Sequence, residues 1–272
     1  TRGDAARGGP QYIDWMLSAL FTRANHARLT LTRAAAPASQ CHLCRTWQSE
    51  PVCAECIRAW RPSIRRCLRC AIDLHDDHPD SVCQRCEDQS PEFDRAIVAV
   101  DYCGPWPGLL AKLKFQGATA LAKPLARLLA EAVQHRLGNT SLIIPVPLSP
   151  QRLRERGYNQ AWLLARQAGQ YLGVPACTGL LERPRHTPRL MSLSAEERLK
   201  QIQNAFEVTR HAHATLAGQD IAIVDDVMTT GATLNACTHA LLAASARSVS
   251  VWAVARTPVD TRSDQADTCA TA

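Results

Sequence analysis

Asp225 and Asp226, followed by Thr229-Thr230-Gly231-Ala232-Thr233, carry the clearest chemistry in this chain. The acids end a β-branched apolar run that starts at Ile221, and an apolar segment from Leu234 to Leu242 follows the small-residue turn. This is the order strand, acidic edge, loop, helix N-terminus. Such a loop can wrap its backbone N–H groups around a phosphate, and the dipole of the following helix favours the negative charge. Thr229, Thr230 and Thr233 add hydroxyl donors, while Gly231 and Ala232 let the backbone come close. Asp225 and Asp226 lie where carboxylates accept hydrogen bonds from sugar hydroxyls or hold a magnesium ion. Anion donors beside sugar and metal acceptors suit a sugar phosphate. The competing reading, a buried strand ending in a solvated acidic turn, leaves the ordered threonines unexplained.

The cysteines form a second constellation. Eight of the 12 make four Cys-x-x-Cys pairs: Cys41/Cys44, Cys53/Cys56, Cys67/Cys70 and Cys83/Cys86, separated by 8, 10 and 12 residues. A tight turn lets each pair present two thiolates to one metal, and two pairs complete a tetrahedral site. Four pairs therefore predict two structural zinc ions. Iron–sulfur ligation uses the same thiolates, but regular paired knuckles favour zinc. A disulfide framework needs a secreted chain, and a redox Cys-x-x-Cys does not come in fourfold repetition. Sequential pairing, first with second and third with fourth, needs shorter loops than a cross-braced arrangement. Four-cysteine sites have no open position, so their role is folding. Cys103, Cys177, Cys237 and Cys269 lie singly and read as small apolar fillers.

Between Cys41 and Ile72, six arginines (Arg45, Arg58, Arg61, Arg65, Arg66 and Arg69) face Glu50 and Glu55, a formal +4. Trp47 and Trp60 offer surfaces on which bases can stack. Each zinc with four thiolates is itself anionic, however, and offsets much of that charge. Nucleic-acid binding and a docking or stabilising role both stay open for this module.

These groups need a scaffold. The chain has 272 residues, 46% hydrophobic, and a formal net charge of +6, which fits anionic ligands without choosing phosphate over nucleic acid. That length accommodates one α/β domain and a small module. No apolar run approaches the ~18 residues of a membrane span, and the first forty residues lack the apolar core of a signal peptide. A cytoplasmic location is expected. Ile13, Met16, Leu17, Leu20 and Phe21 have the spacing of one amphipathic helix. After Ser90-Pro91, the pattern predicts strands at 96–102, 142–146, 221–225 and 249–254, with helices at 121–137, 159–172 and 196–206. Alternating strands and helices argue a doubly wound parallel sheet with ligands at the strands' carboxyl ends. The expected division is an N-terminal segment (1–40), a double zinc ribbon (41–90), an α/β domain (91–260) and a disordered tail (261–272).

The strand–Asp225-Asp226–Thr229-to-Thr233 segment closely resembles the PRPP-binding motif of type I phosphoribosyltransferases. It differs from a Walker A loop, having no Gly-Lys-Ser/Thr. Two more segments match in order: Lys112-Leu113-Lys114-Phe115-Gln116-Gly117, and Pro145-Val146-Pro147 followed by Arg152, Arg154 and Arg156-Gly157-Tyr158-Asn159-Gln160. With the zinc pairs, they resemble the ComF family across about Cys41 to Arg256. That resemblance implies a type I phosphoribosyltransferase-like fold and a part in DNA uptake during natural competence.

It also implies specific roles. Thr229 to Thr233 would hold the 5-phosphate of magnesium-bound PRPP, and Asp225 and Asp226 the ribose hydroxyls. Pro145, Val146 and Pro147, with Arg152 and Arg156, would hold the pyrophosphate, since guanidinium groups bind phosphate oxygens in pairs. An acceptor would displace pyrophosphate at the anomeric carbon through an oxocarbenium-like state. The other class of reading is non-catalytic: a PRPP sensor, or a scaffold handling single-stranded DNA beside uptake proteins. Leu190 and Gln201 depart from the glutamine and asparagine usual in the family, in a segment expected to close over the site. No purine or pyrimidine pocket is recognisable, and residues 90–135 remain as the candidate base-recognising hood. Sequence leaves the acceptor and the oligomeric state open.

Overall fold

The computed structural model describes residues 39–61, 63–74, 80–184 and 205–258. A short antiparallel hairpin, β1 (Ser39–Gln40) and β2 (Trp47–Gln48), opens the cysteine-rich region, with helices α1 (Ala54–Ala59) and α2 (Gln84–Asp88). There follow β3 (Arg95–Asp101), α3 (Trp106–Phe115), α4 (Ala122–Val133), β4 (Leu142–Pro145), α5 (Pro150–Arg156) and α6 (Gln160–Leu172). Next come β5 (Leu181–Glu182) and β6 (Glu207–Val208), paired with each other, then α7 (His213–Leu216), β7 (Asp220–Met228), α8 (Ala232–Ala243) and β8 (Ser248–Arg256).

The central sheet has the order β3-β8-β7-β4, all parallel. Alternation along each strand explains why both faces are apolar. Ile97, Ile143, Val224, Trp252 and Val254 pack with Leu109, Leu125, Leu129 and Leu164 of α3, α4 and α6. Val98, Ile144, Ile223 and Val251 pack with Leu234, Cys237 and Leu241 of α8. A parallel sheet covered on both sides must read as continuous apolar runs, as these strands do. Its carboxyl ends all reach one edge.

Several expectations shift. The strand predicted to end at Asp225 runs on to Met228, because β8 pairs with it as far as Met228 opposite Arg256. The helix expected over 121–137 is α4, flanked by 3-10 turns at Thr119–Leu121 and Gln134–Arg136. The basic segment forms its own short helix, α5. Its N-cap is the Ser149 side chain, which accepts from the Arg152 N–H, and Gly157 closes it at φ +81°. The hood reading of 90–135 is overturned: β3 is a strand of the main sheet, and α4 buries Leu125, Leu128, Leu129 and Val133 in the core.

Ala205 and Phe206 are buried and lead into β6, whereas 196–204 of the expected helix lie outside the described residues. Also outside are the 13–21 stripe, Leu190, Gln201, Cys269 and the tail. Among the described residues no helix is long and apolar enough to cross a membrane.

Candidate functional site

The eight paired cysteines gather as two clusters, Cys41/Cys44/Cys53/Cys56 and Cys67/Cys70/Cys83/Cys86, with sulfurs within 4.8 Å of one another in each. This is the sequential pairing. Local backbone turns aim N–H groups at the sulfurs: Leu43 and Cys53 donate to Cys41 Sγ (3.4 Å each), Cys56 to Cys53 Sγ (3.3 Å) and Cys83 to Cys67 Sγ (3.3 Å). Such bonds favour thiolates. Four thiols so close cannot all ionise without a cation. A hydrogen bond from Cys70 brings Cys67 down to about 4, while that same contact and burial push Cys70 up. Burial raises Cys86 to about 12. A divalent ion resolves this conflict, and each cluster can hold one structural zinc.

The module is joined to the sheet domain by buried polar contacts. Arg66 pairs with Asp101 at 2.8 Å, with side chains 11% and 14% exposed. The Trp106 indole donates to the Trp60 carbonyl at 2.8 Å, and the Ala96 N–H to the Arg69 carbonyl at 2.7 Å. These contacts change the nucleic-acid reading. Trp60 is half-buried, packed against the core with its ring over Gly104, which covers part of the surface a base would stack on; Trp47 is exposed. Arg61 is paired with Glu131 (2.8 Å) and Arg66 with Asp101, which removes two arginines from any free basic face.

At the carboxyl edge of the sheet, Asp225 is half-buried and Asp226 is 2% exposed. The Asp226 N–H donates to Asp225 Oδ1 at 2.8 Å. Burial, reinforced by the Asp226 charge, holds the Asp225 carboxyl well above the ordinary carboxylate range. Lys114 Nζ, from α3, lies 2.6 Å from Asp226 Oδ2, as an ion pair rather than an aligned hydrogen bond. Thr229 and Thr230 are exposed, Gly231 adopts φ +83° as the N-cap of α8, and the Ala232 N–H donates to Thr230 Oγ1 at 3.3 Å. A Cβ at position 231 would meet Met228 Cε at 2.9 Å, the end of a flexible side chain that can move aside, so it is the positive φ that calls for glycine. Thr233, half-buried, is the second residue of α8.

The Pro145–Pro147 segment lies beside these acids, because Pro145 is in register with Val224. The Val146 N–H donates to the Val224 carbonyl at 2.9 Å. Asn159 fixes the segment from the other side. Its amide donates to the Val146 carbonyl (2.9 Å), while its oxygen caps α6 by accepting from the Ala161 N–H (2.9 Å). Arg152 and Arg156 line an open cavity with Lys114, Phe115, Gly117, Tyr158 and one acid, Glu155. The Arg156 guanidinium lies 5.2 Å from the centre of the Phe115 ring and donates to Gln160 Oε1. Tyr158 donates from its hydroxyl to the Leu113 carbonyl and ties α3 to this wall. Lys114 is the shared element: it lines the cavity and holds Asp226.

Three contributors escaped sequence reasoning: the pairing of Lys114 with Asp226, the bridging role of Asn159, and Arg256. Arg256 is 2% exposed and donates to the carbonyls of Met228, Thr229 and Thr257 around the start of the loop. One signal was available, since an arginine closing the wholly apolar run Val251–Ala255 is out of place unless it has a buried task.

A parallel sheet with an Asp-Asp edge, a threonine–glycine loop at a helix N-terminus and two four-cysteine clusters ahead of it defines a type I phosphoribosyltransferase-like protein with a zinc-ribbon module. Residues 164–270 match the phosphoribosyl transferase domain family. Competence protein F of Haemophilus influenzae is 33% identical over 210 residues, 75% of this chain and 90% of that protein. DNA utilization protein YhgH of Escherichia coli K12 is 33% identical over 211 residues, 76% of this chain and 90% of its own length. Competence protein ComFC of Bacillus subtilis is 35% identical over 107 residues, 37% of this chain and 38% of that protein. The chain belongs to the ComF family of competence and DNA utilization proteins.

Proposed function

We propose that this protein binds PRPP with Mg²⁺ at the carboxyl edge of its sheet, and transfers phosphoribose from it to an acceptor in the service of DNA uptake or utilization. The observation that carries the reading is the convergence on one edge of Asp225 and Asp226, the Thr229–Thr233 loop and the cationic wall of Lys114, Arg152 and Arg156. In this reading the loop N–H groups and threonine hydroxyls take the 5-phosphate, and Asp225 and Asp226 accept from the ribose hydroxyls. Pro145, Val146 and Pro147 with Arg152 and Arg156 take the pyrophosphate. Lys114 occupies the buried Asp226 as an ion-pair partner until a ribose competes for it. Magnesium, when bound, supplies neutralising charge to the pyrophosphate leaving group. Asp225 and Asp226 fit that ion chemically as ligands, being oxygen donors on a rigid strand end. We assign the region 41–90 to docking and stability, the region 91–260 to the chemistry, and the whole to the cytoplasm.

The test is pyrophosphate release from Mg²⁺·PRPP in the presence of nucleobases, nucleosides and single-stranded oligonucleotides. Release that depends on one acceptor class, and disappears in Asp226→Asn, is expected. PRPP binding without turnover, together with tight and strongly salt-dependent single-strand binding, would replace the enzyme by a sensor or DNA-handling scaffold.

A further inference from the structure

We infer that Arg256 is a positioning residue through which metal occupancy of the second cysteine cluster sets the shape of the 229–233 loop. The inference rests on the reading of that loop as a phosphate site. Arg256 closes β8, and its buried guanidinium spans three parts of the molecule. Nε donates to the carbonyl of Cys70 at 3.2 Å, and Cys70 is one of the four sulfur ligands of the second cluster. Nη1 donates to the carbonyls of Met228 (3.2 Å), Thr229 and Thr257 (2.9 Å). Met228 O also accepts from the Thr257 N–H at 3.0 Å, so β7 and β8 are clamped together where the loop departs.

Among the described residues no carboxylate pairs with Arg256 at salt-bridge distance. A buried cation without a carboxylate needs carbonyl dipoles and a nearby anion. The second cluster, anionic once four thiolates surround a zinc ion, is the negative group adjoining it. The Cys67–Cys70 turn that presents the Cys70 carbonyl is closed by Ala71 N–H to Cys67 O (2.9 Å) and aimed by Cys70 N–H to Cys67 Sγ (3.5 Å). Metal loss frees that turn, and Arg256 loses both an acceptor and its counter-charge. The guanidinium that also grips Thr229 then has no fixed place. The first cluster reaches a different part of the site: His42 lies 3.4 Å from Lys112, on the helix that carries Lys114.

The experiment compares full-length zinc-loaded wild type with Arg256→Met, Arg256→Lys, Cys70→Ser, Cys44→Ser and the Arg256→Met/Cys70→Ser double variant. Three quantities are read: zinc per chain, hydrogen exchange of the 229–233 amides, and Mg²⁺·PRPP affinity. Arg256→Met should keep both zinc ions yet speed loop exchange and weaken PRPP binding, each by roughly tenfold, the scale of one lost charged hydrogen bond. Arg256→Lys should recover part of both. Cys70→Ser should loosen the loop to the same extent, with no further change in the double variant, while Cys44→Ser leaves loop exchange unaltered. Loop exchange that is unchanged in Arg256→Met, or effects of Cys70→Ser and Arg256→Met that simply add, would overturn the coupling. If Arg256→Met does not fold, Arg256→Lys decides by the same criteria. If wild type binds no PRPP but loop exchange follows this pattern, the ligand assignment fails and the coupling stands.

Discussion

The cysteine clusters and the strand-end site are built on opposite principles. Each cluster draws all four ligands from a short stretch of chain, turns backbone N–H groups onto its own sulfurs, and has no vacant valence once a metal sits in it. The strand-end site draws on β4, α3, α5, β7 and the loop before α8, and it is open to solvent at Thr229 and Thr230. One of its two carboxyls is held far above its ordinary pKa. Closure in the first case yields stability, and incompleteness in the second leaves donors and acceptors for a ligand. The joints between the two regions, Arg66 with Asp101 and Arg256 with Cys70, let the closed part hold the open part in shape.

The largest break in that contrast should come from the metal. Structural zinc contributes roughly 10–16 kcal/mol of apparent binding free energy in small modules. A strong chelator at neutral pH should therefore abolish the cooperative melting of the cysteine region, and elemental analysis should return one zinc for each cluster. A chain that melts unchanged after its zinc is stripped would assign the clusters no folding role.

Smaller, and confined to the joint, is the effect of Arg66→Met. It leaves Asp101 as an unpaired, largely buried charge and should cost about 3 kcal/mol in urea denaturation. Asp101→Asn in the same background should recover much of the loss. A loss below about 0.5 kcal/mol, the range of exposed pairs, would show the joint to be ordinary surface.

Asp225→Asn should give the smallest change and the opposite sign. The folded-state pKa of Asp225 is raised above the unfolded value of 3.8, so the native state binds that proton more tightly. Wild-type stability from this group is greatest below pH 3.8 and declines as pH rises from there through the folded pKa. At neutral pH the charge is a cost, and Asn removes it. Melting temperatures between pH 4 and 8 should show the variant gaining on wild type as pH rises. Parallel curves would mean that Asp225 carries no such burden.

How far these features were legible depends on their range along the chain. Continuous apolar runs announced β3, β4, β7 and β8, and fixed Cys-x-x-Cys spacing announced both clusters, because each signal is local. The acids and the threonine loop stood out for the same reason. Contacts between distant segments did not. Nothing near Lys114 indicates that it meets Asp226, and nothing near Trp60 that it packs against the core; both follow from packing α3 beside the sheet and the cysteine module. The end of β7 was misplaced because Asp225, Asp226 and Val227 are poor candidates for a strand by type. Pairing with β8 outweighs that local preference.

The central claim is that the strand end is a PRPP site. Calorimetric titration of Mg²⁺·PRPP into zinc-loaded wild type and into Asp225→Asn/Asp226→Asn tests it directly. The account predicts wild-type binding in the micromolar range or tighter, and a loss of at least about 100-fold in the double variant, or about 2.7 kcal/mol. Folded, zinc-replete wild type that binds no PRPP, or a double variant that binds it equally well, would contradict it.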